Sequence, residues 1–133
     1  VLGVDATEVV HRFIAAINAG DVAGLAHLMS ADHTLQVFDE PALVGREANV
    51  DGWQGYCSAF PRYRIHVHDT AERAGAVAVR GHTTGSHLAL PDTEEERLTL
   101  IWLAEVGAGK LRTWQLIDDS VGNRERVGLA STP

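Results

Sequence analysis

Two pairs of carboxylates stand where this chain changes direction, and paired acids are the usual material of general acid–base chemistry. Asp118 and Asp119 close the strand-like run LRTWQLIDD, and Asp39 and Glu40 precede Pro41 in a turn. If Trp114 and Leu116 point inward, the two-residue period of a strand puts Asp118 on the same face, where it would serve as a base at a pocket. Asp39 or Glu40 is the other candidate base. All of these acids are equally ordinary residues for strand ends and turns. The histidines offer less. His66 and His68 share one strand face, but a metal needs a third and usually a fourth ligand, so no metal is expected. His82 and His87 are five residues apart and fall on opposite faces of a strand running from Ala76 to His87. His33 sits in a break between elements and reads as structural. Tyr56 lies one turn from Trp53 and could present its hydroxyl at a pocket mouth, or simply to solvent. Cys57 falls on the buried stripe of the same helix and reads as a small core residue. No Ser-His-Asp order, phosphate loop or zinc spacing is present.

The elements that must position these residues follow from hydrophobic period. Asp5 with Glu8 three residues on resembles a capping box. Val10, Phe13, Ile14 and Ile17 then form one helical stripe. Gly20 supplies a left-handed stop and Asp21 caps a second short helix with Val22, Leu25, Ala26 and Met29 on its buried face. Asp32 and His33 end the helical pattern, and Thr34 to Phe38 reads as a strand. A third helix runs from about Arg46 to Ala59 behind Gly45, with Val50, Trp53, Cys57 and Phe60 as its stripe. From Tyr63 the period becomes two. Strands are expected from Tyr63 to a turn at Arg73-Ala74-Gly75, from Ala76 to Thr84 and beyond, from Arg97 to Val106, and from Lys110 to Asp118 after a Gly107-Ala108-Gly109 hairpin. Pro91-Asp92 and Glu94-Glu95-Glu96 read as an exposed loop, and 121–133 as a polar tail with one short helix.

The order α-α-β-α-β-β-β-β suggests a curved antiparallel sheet wrapped around helices, with a pocket between them. The segment Leu98 to Leu103 is apolar on both faces, and a strand bare on one side would alternate. With no helix left to cover the outer face, a homodimer through that face is expected.

The length of 133 residues fits one domain over 1–133, with a core of about 6–120. A net charge of −7 without a dense basic run disfavours nucleic-acid binding. No apolar stretch approaches ~20 residues, so no membrane span is expected. The start VLGVDATEVV lacks a basic region and a long apolar segment, which predicts no signal peptide. A single cysteine excludes an internal disulfide and makes the cytoplasm the expected compartment.

VVHRFIAAINAGD, MSADHTL, VGREA, VAVRGHTTGSH and the Gly109-Lys110 hairpin together resemble the nuclear-transport-factor-2-like superfamily. Within it the chain is most similar to SnoaL-like polyketide cyclases and ketosteroid isomerases. The resemblance covers about residues 6–120. It implies an α+β fold, a cone-shaped barrel of a curved, mostly antiparallel sheet around three helices, open at one end to a deep apolar pocket. It specifies fold better than function, since such folds host many activities.

The relatives' catalytic positions are largely apolar here. The tyrosine of ketosteroid isomerases is matched by Phe13 and their protonated aspartate by Ile101. Their base is matched by Phe38, or by Asp39 or Glu40 with one or two residues inserted. The last-strand aspartate of the cyclases falls on Leu116 and their histidine on Ile101. Limonene epoxide hydrolases carry an Arg-x-Asp pair where this chain reads Arg80-Gly81-His82. One lost oxyanion donor typically costs ~3 kcal/mol of barrier, so neither parent reaction is expected to survive. The resemblance implies a pocket lined by Phe13, Ile17, Gln36, Phe38, Trp53, Tyr56, Ile101, Trp114 and Leu116. Gln36 would give one hydrogen bond if it shares the inward face with Phe38. Two functions stay open. One is a cofactor-free isomerase, cyclase or lyase moving a proton on a polycyclic or terpenoid substrate, with Asp118 or Asp39/Glu40 as base. The other is a non-catalytic carrier of a small hydrophobic molecule, or an assembly domain.

Overall fold

The computed structural model describes residues 5–130. Residues 1–4 of the segment read as lacking a leader, and 131–133 of the tail, lie outside the described residues.

Helix α1, Ala6–Ala19, is capped by the Asp5 side chain, which accepts from the Thr7 amide at 3.1 Å. Glu8 does not reach back as in a capping box. It pairs instead with Arg12 one turn on, at 3.2 Å. Gly20 ends the helix at φ 66°, and Asp21 caps α2, Val22–Leu28, by accepting from Gly24 N. The chain then enters β1, Met29–Val37, five residues earlier than the pattern suggests. Met29 and His33 are fully buried, so the polar letters Ser30 to Asp32 mark the exposed side of an irregular strand start.

Strand β2, Leu43–Val44, leads into α3, Arg46–Ala59, with the expected bounds and Gly45 as its cap at φ 103°. Strands β3, Arg64–Arg73, and β4, Ala76–Thr84, form a hairpin whose turn residues Ala74 and Gly75 both have positive φ. A short helix α4, Asp92–Glu95, precedes β5, Leu100–Gly107, and β6, Lys110–Asp118. Helix α5, Val121–Val127, is capped at its start by Ser120 and at its end by left-handed Gly128.

The six strands form one open sheet in the order β2-β1-β6-β5-β4-β3. All pairs are antiparallel except β1 with β6, so β1 is a parallel intruder in a meander. The protein is thus an α+β cone, with α1 and α3 against the inner face of the sheet. Val9, Val10, Phe13 and Ile17 of α1 pack there on Ile65, Val77, Val79, Trp102, Ala104, Leu111 and Trp114.

The outer face corrects the sequence-based argument for a dimer. Ala78 and Ile101 are buried there under Leu129, flanked by Leu103, Ile117 and Val127. Strand β5 is apolar on both sides because the chain's own C-terminal segment covers it. An ion-pair clamp holds that segment down. Asp119, with its side chain only 1% exposed, accepts from Arg80 on β4 at 2.8 Å and from Arg124 on α5 at 2.5 Å. Burial disfavours its charge, but hydrogen bonds from Arg124, Thr99 and Arg80 outweigh that and hold the carboxyl at about 2.

The acidic run also differs from expectation. Glu95 is 1% exposed and takes a 2.5 Å hydrogen bond from the Thr83 hydroxyl. It is the buried position of a one-turn helix rather than part of a solvated loop.

Candidate functional site

A cavity of about 220 Å³ opens between α3 and the inner sheet face. Its wall is made by Leu35 and Val37 of β1, Leu43 of β2, Asn49, Gly52, Trp53 and Tyr56 of α3, His87, Trp102 of β5, and Trp114 and Leu116 of β6. The topology explains this set. The parallel register Val37↔Leu116 and Leu35↔Trp114 aligns two inward rows, and Trp102↔Leu116 across β5–β6 adds the third. Residues 33, 35 and 37 of β1 face inward together, as period two requires.

Of the residues expected to bind a ligand, Trp53, Tyr56, Trp114 and Leu116 line this cavity. The others lie elsewhere. Gln36 is on the opposite face of β1 from Leu35 and Val37, because a one-residue change of register exchanges every side chain between faces. Its amide meets the Glu40 carbonyl at 3.4 Å. Phe38 is 37% exposed in a turn with φ 50°, past the end of the strand. Ile101 points to the outer face, beneath Leu129. Phe13 is buried in the core, its ring 5.1 Å from Trp114 and 5.9 Å from His33. Ile17 borders a separate hollow of about 420 Å³ between α1 and α3, whose wall is half polar.

The candidate bases also lie off the cavity. Asp39 and Glu40 are exposed in the turn after β1. Asp118 has the inward parity of Trp114 and Leu116, but it is exposed at the strand end and does not line the cavity. Its neighbour Asp119 belongs to the outer clamp. No Asp, Glu, Lys or Arg is in the cavity wall.

The titratable groups that do line it are Tyr56 and His87. The sequence reading put His87 on a strand, but β4 ends at Thr84, and the following loop folds His87 over the cavity. The Tyr56 oxygen accepts from the His87 amide at 3.2 Å, and its hydroxyl lies 2.9 Å from His87 Nδ1. The hydroxyl oxygen has a second lone pair, so the 2.9 Å contact is either O–H donating to Nδ1 or Nδ1–H donating to the oxygen, according to the His87 tautomer. Burial pushes the Tyr56 phenol up, so it is a neutral donor at ordinary pH. Tyr63, whose edge meets Tyr56 at 5.0 Å between centroids, is pushed up further by burial.

Two residues of the wall each carry a fully buried polar atom with no hydrogen-bond partner among the described residues: Trp53 Nε1 and Asn49 Oδ1. His33 and Glu95 carry the other two, His33 Nε2 and Glu95 Oε1, away from the cavity wall. Neither Asn49 nor His87 was singled out as a ligand-binding residue from the sequence. The i, i+4 spacing of Asn49 with Trp53 was the available signal for Asn49. For His87 there was none, since a loop's path is set by what it packs on.

The three histidines of the β3–β4 edge form a cluster of their own. His66 stacks on His82 with ring centroids 4.5 Å apart, and His68 Nε2 is 2.7 Å from His82 Nδ1. Among the described residues no group of three or more His, Cys, Asp or Glu is placed to hold a metal ion. Among them, too, no helix is long and apolar enough to cross a membrane.

Solved structures with the same fold are numerous. An uncharacterised cystatin-fold protein from Novosphingobium aromaticivorans superposes with a TM-score of 0.74 at 20% identity, over 86% of this chain and 99% of the other. A putative polyketide cyclase from Sinorhizobium meliloti gives 0.70 at 14% identity, over 86% and 100%. An LEH-like epoxide hydrolase from M. tuberculosis gives 0.65 at 15% identity, over 84% and 80%. At such identities the likeness concerns the fold alone. No curated protein matches the chain by sequence. The family model described as the SnoaL-like domain matches residues 10–114, from the first helix into the last strand of the sheet. That span covers most of the chain and every residue of the cavity wall except Leu116, and the chain therefore belongs to the SnoaL-like family.

Proposed function

We propose that this protein binds a small apolar molecule in the cavity between α3 and the sheet. One observation carries the reading: a hollow of about 220 Å³ walled by aliphatic and aromatic side chains, with no Asp, Glu, Lys or Arg in its lining. Apolar clefts with a few placed polar groups are the usual form of small-molecule sites. The size narrows the class. It exceeds the ~150 Å³ cavity that accommodates benzene and falls below the ~300 Å³ at which drug-sized pockets begin. A ligand of one or two rings fits, which favours the terpenoid over the polycyclic alternative expected from the sequence.

The test uses the protein's own reporters. All three tryptophans, Trp53, Trp102 and Trp114, line the cavity, so intrinsic fluorescence reads its occupancy. Titration with bicyclic hydrocarbons is expected to give a saturable change that Val37→Phe weakens by filling the space. A change that does not saturate, or one indifferent to Val37→Phe, overturns the reading.

A second reading, catalysis by proton transfer, is favoured by the Tyr56–His87 pair. The phenol faces the cavity and the imidazole behind it could accept its proton. In that reading Asp118, Asp39 and Glu40 are not the base. Tyr56→Phe then abolishes turnover of an identified substrate while leaving its binding within about fivefold, the cost of one net hydrogen bond being about 1 kcal/mol or less here.

A further inference from the structure

The residues that form the mouth of the apolar cavity are marked by their exposure. Most of the lining is buried or half-buried, but Leu43, Gly52 and His87 are exposed while still lining the hollow. A residue that borders both the hollow and the solvent stands where the two meet. The three form one arc. A Cβ placed on Gly52 meets Leu43 Cδ2 of β2 at 3.6 Å. Tyr56, one turn along α3 from Gly52, holds His87 through its hydroxyl.

Gly52 is the unexpected member. It lies inside the 14-residue helix α3, where glycine weakens a helix relative to alanine because it has more backbone freedom to lose. Neither usual reason for a glycine applies. Its φ is not positive, and an added Cβ finds ordinary van der Waals contact rather than a clash. What glycine provides at this place is bare backbone at the rim. The Leu43 main chain is fixed across from it, paired with Leu35 on β1 and bonded through its carbonyl to Asn49 Nδ2 at 3.0 Å. The Leu43 side chain, 38% exposed, is the part that can turn, and the missing side chain of Gly52 leaves it room.

We propose that the apolar ligand enters and leaves past Gly52, and that this glycine sets the rate of exchange by letting Leu43 move aside. The inference rests on the binding function proposed above.

Stopped-flow tryptophan fluorescence with tetralin as the probe reads both rates, since all three tryptophans line the cavity. Gly52→Ala adds the Cβ that touches Leu43, and Gly52→Leu adds a side chain that crowds it. Gly55→Ala is the control on the same helix: Gly55 is exposed, has nothing within 4 Å of an added Cβ and does not line the cavity. Either alanine is expected to raise Tm by roughly 3 °C through helix propensity alone. Association and release are expected to slow together, about threefold in Gly52→Ala and about tenfold or more in Gly52→Leu, with Kd within about twofold, because a narrower passage raises one barrier and leaves both end states alone. Gly55→Ala is expected to leave both rates unchanged.

Unchanged rates in the Gly52 variants overturn the inference. So does equal slowing in Gly55→Ala, which would make helix stiffness the cause. A rise in Kd without slower release in Gly52→Leu also overturns it, since the added side chain would then be filling the cavity. Each of these outcomes leaves the apolar site standing. If Gly52→Leu fails to give a cooperative melt, Gly52→Ala, whose Cβ fits, decides alone. If tetralin does not bind the native chain, the binding function falls, and this inference with it.

Discussion

Replacing Asp119 by asparagine should loosen the C-terminal segment from the sheet. The Asp119 side chain is 1% exposed and the two arginines it joins are 15% and 12% exposed. Removing one partner of a buried ion pair typically costs about 3–5 kcal/mol, because the remaining charges are left uncompensated. The retained amide oxygen and the slight exposure of both guanidiniums put Asp119→Asn at the low end, about 3 kcal/mol. For a domain of this size that is a fall of roughly 10 °C in Tm. Acid gives an independent check. The Asp119 carboxyl stands at about 2 in the folded chain against an ordinary 3.8. At 1.36 kcal/mol per pH unit the difference is about 2 kcal/mol. A depressed folded value means the folded state binds fewer protons, so this stabilisation is complete above pH 3.8 and is lost as pH falls toward 2. The advantage of the native protein over Asp119→Asn in urea unfolding should therefore be full at pH 7 and shrink by about 2 kcal/mol between pH 4 and pH 2. Release of α5 also uncovers Ala78, Ile101, Leu103 and Ile117, so the variant should associate on size-exclusion chromatography. An unchanged Tm at pH 7, or a native-minus-variant difference that ignores acid, would refute the clamp.

Asp118→Asn, Asp39→Asn and Glu40→Gln change exposed groups outside the cavity wall, so each should leave stability within ~0.5 kcal/mol and ligand affinity unaltered. A loss of ligand binding in any of them would return that acid to the site. Gly81→Ala should cost about 3 kcal/mol or more in thermal unfolding, because a Cβ there runs into the His66 carbonyl oxygen at the β3–β4 irregularity. Burial first, opposed by the Leu111 carbonyl contact, lowers His33; burial first, then His66 and His68, lowers His82. Both rings should titrate below the ordinary 6.5 in NMR, and the folded chain should lose stability as pH drops beneath that value, where the unfolded chain binds more protons.

The periodic elements were legible in the residues themselves. The caps Asp5, Gly20 and Asp21, the bounds of α3, and strands β4 and β6 follow from local backbone preference and hydrophobic period, which act within a few residues. The family was legible too, since the fold's pattern of apolar positions carries it. Of the residues at the relatives' catalytic positions, Leu116 lines the cavity, while Phe13 is in the core, Phe38 in a turn and Ile101 on the outer face. Those misplacements share one cause: which face of a strand looks inward depends on register, and register is set by the partner strand. Leu35 and Val37 face the cavity because β1 lies parallel to β6, a pairing between segments some eighty residues apart. Long-range packing likewise decided that the polar-looking tail would cover β5, that Glu95 would be buried beneath its acidic neighbours, and that a loop would carry His87 to Tyr56. Sequence alone determined the long helices α1 and α3 and the strands from β3 onward, though not the early start of β1, the short β2 or the one-turn α4. Tertiary contacts alone decided which side chains they show to the cavity, because local periodicity is indifferent to which of two faces becomes the inside.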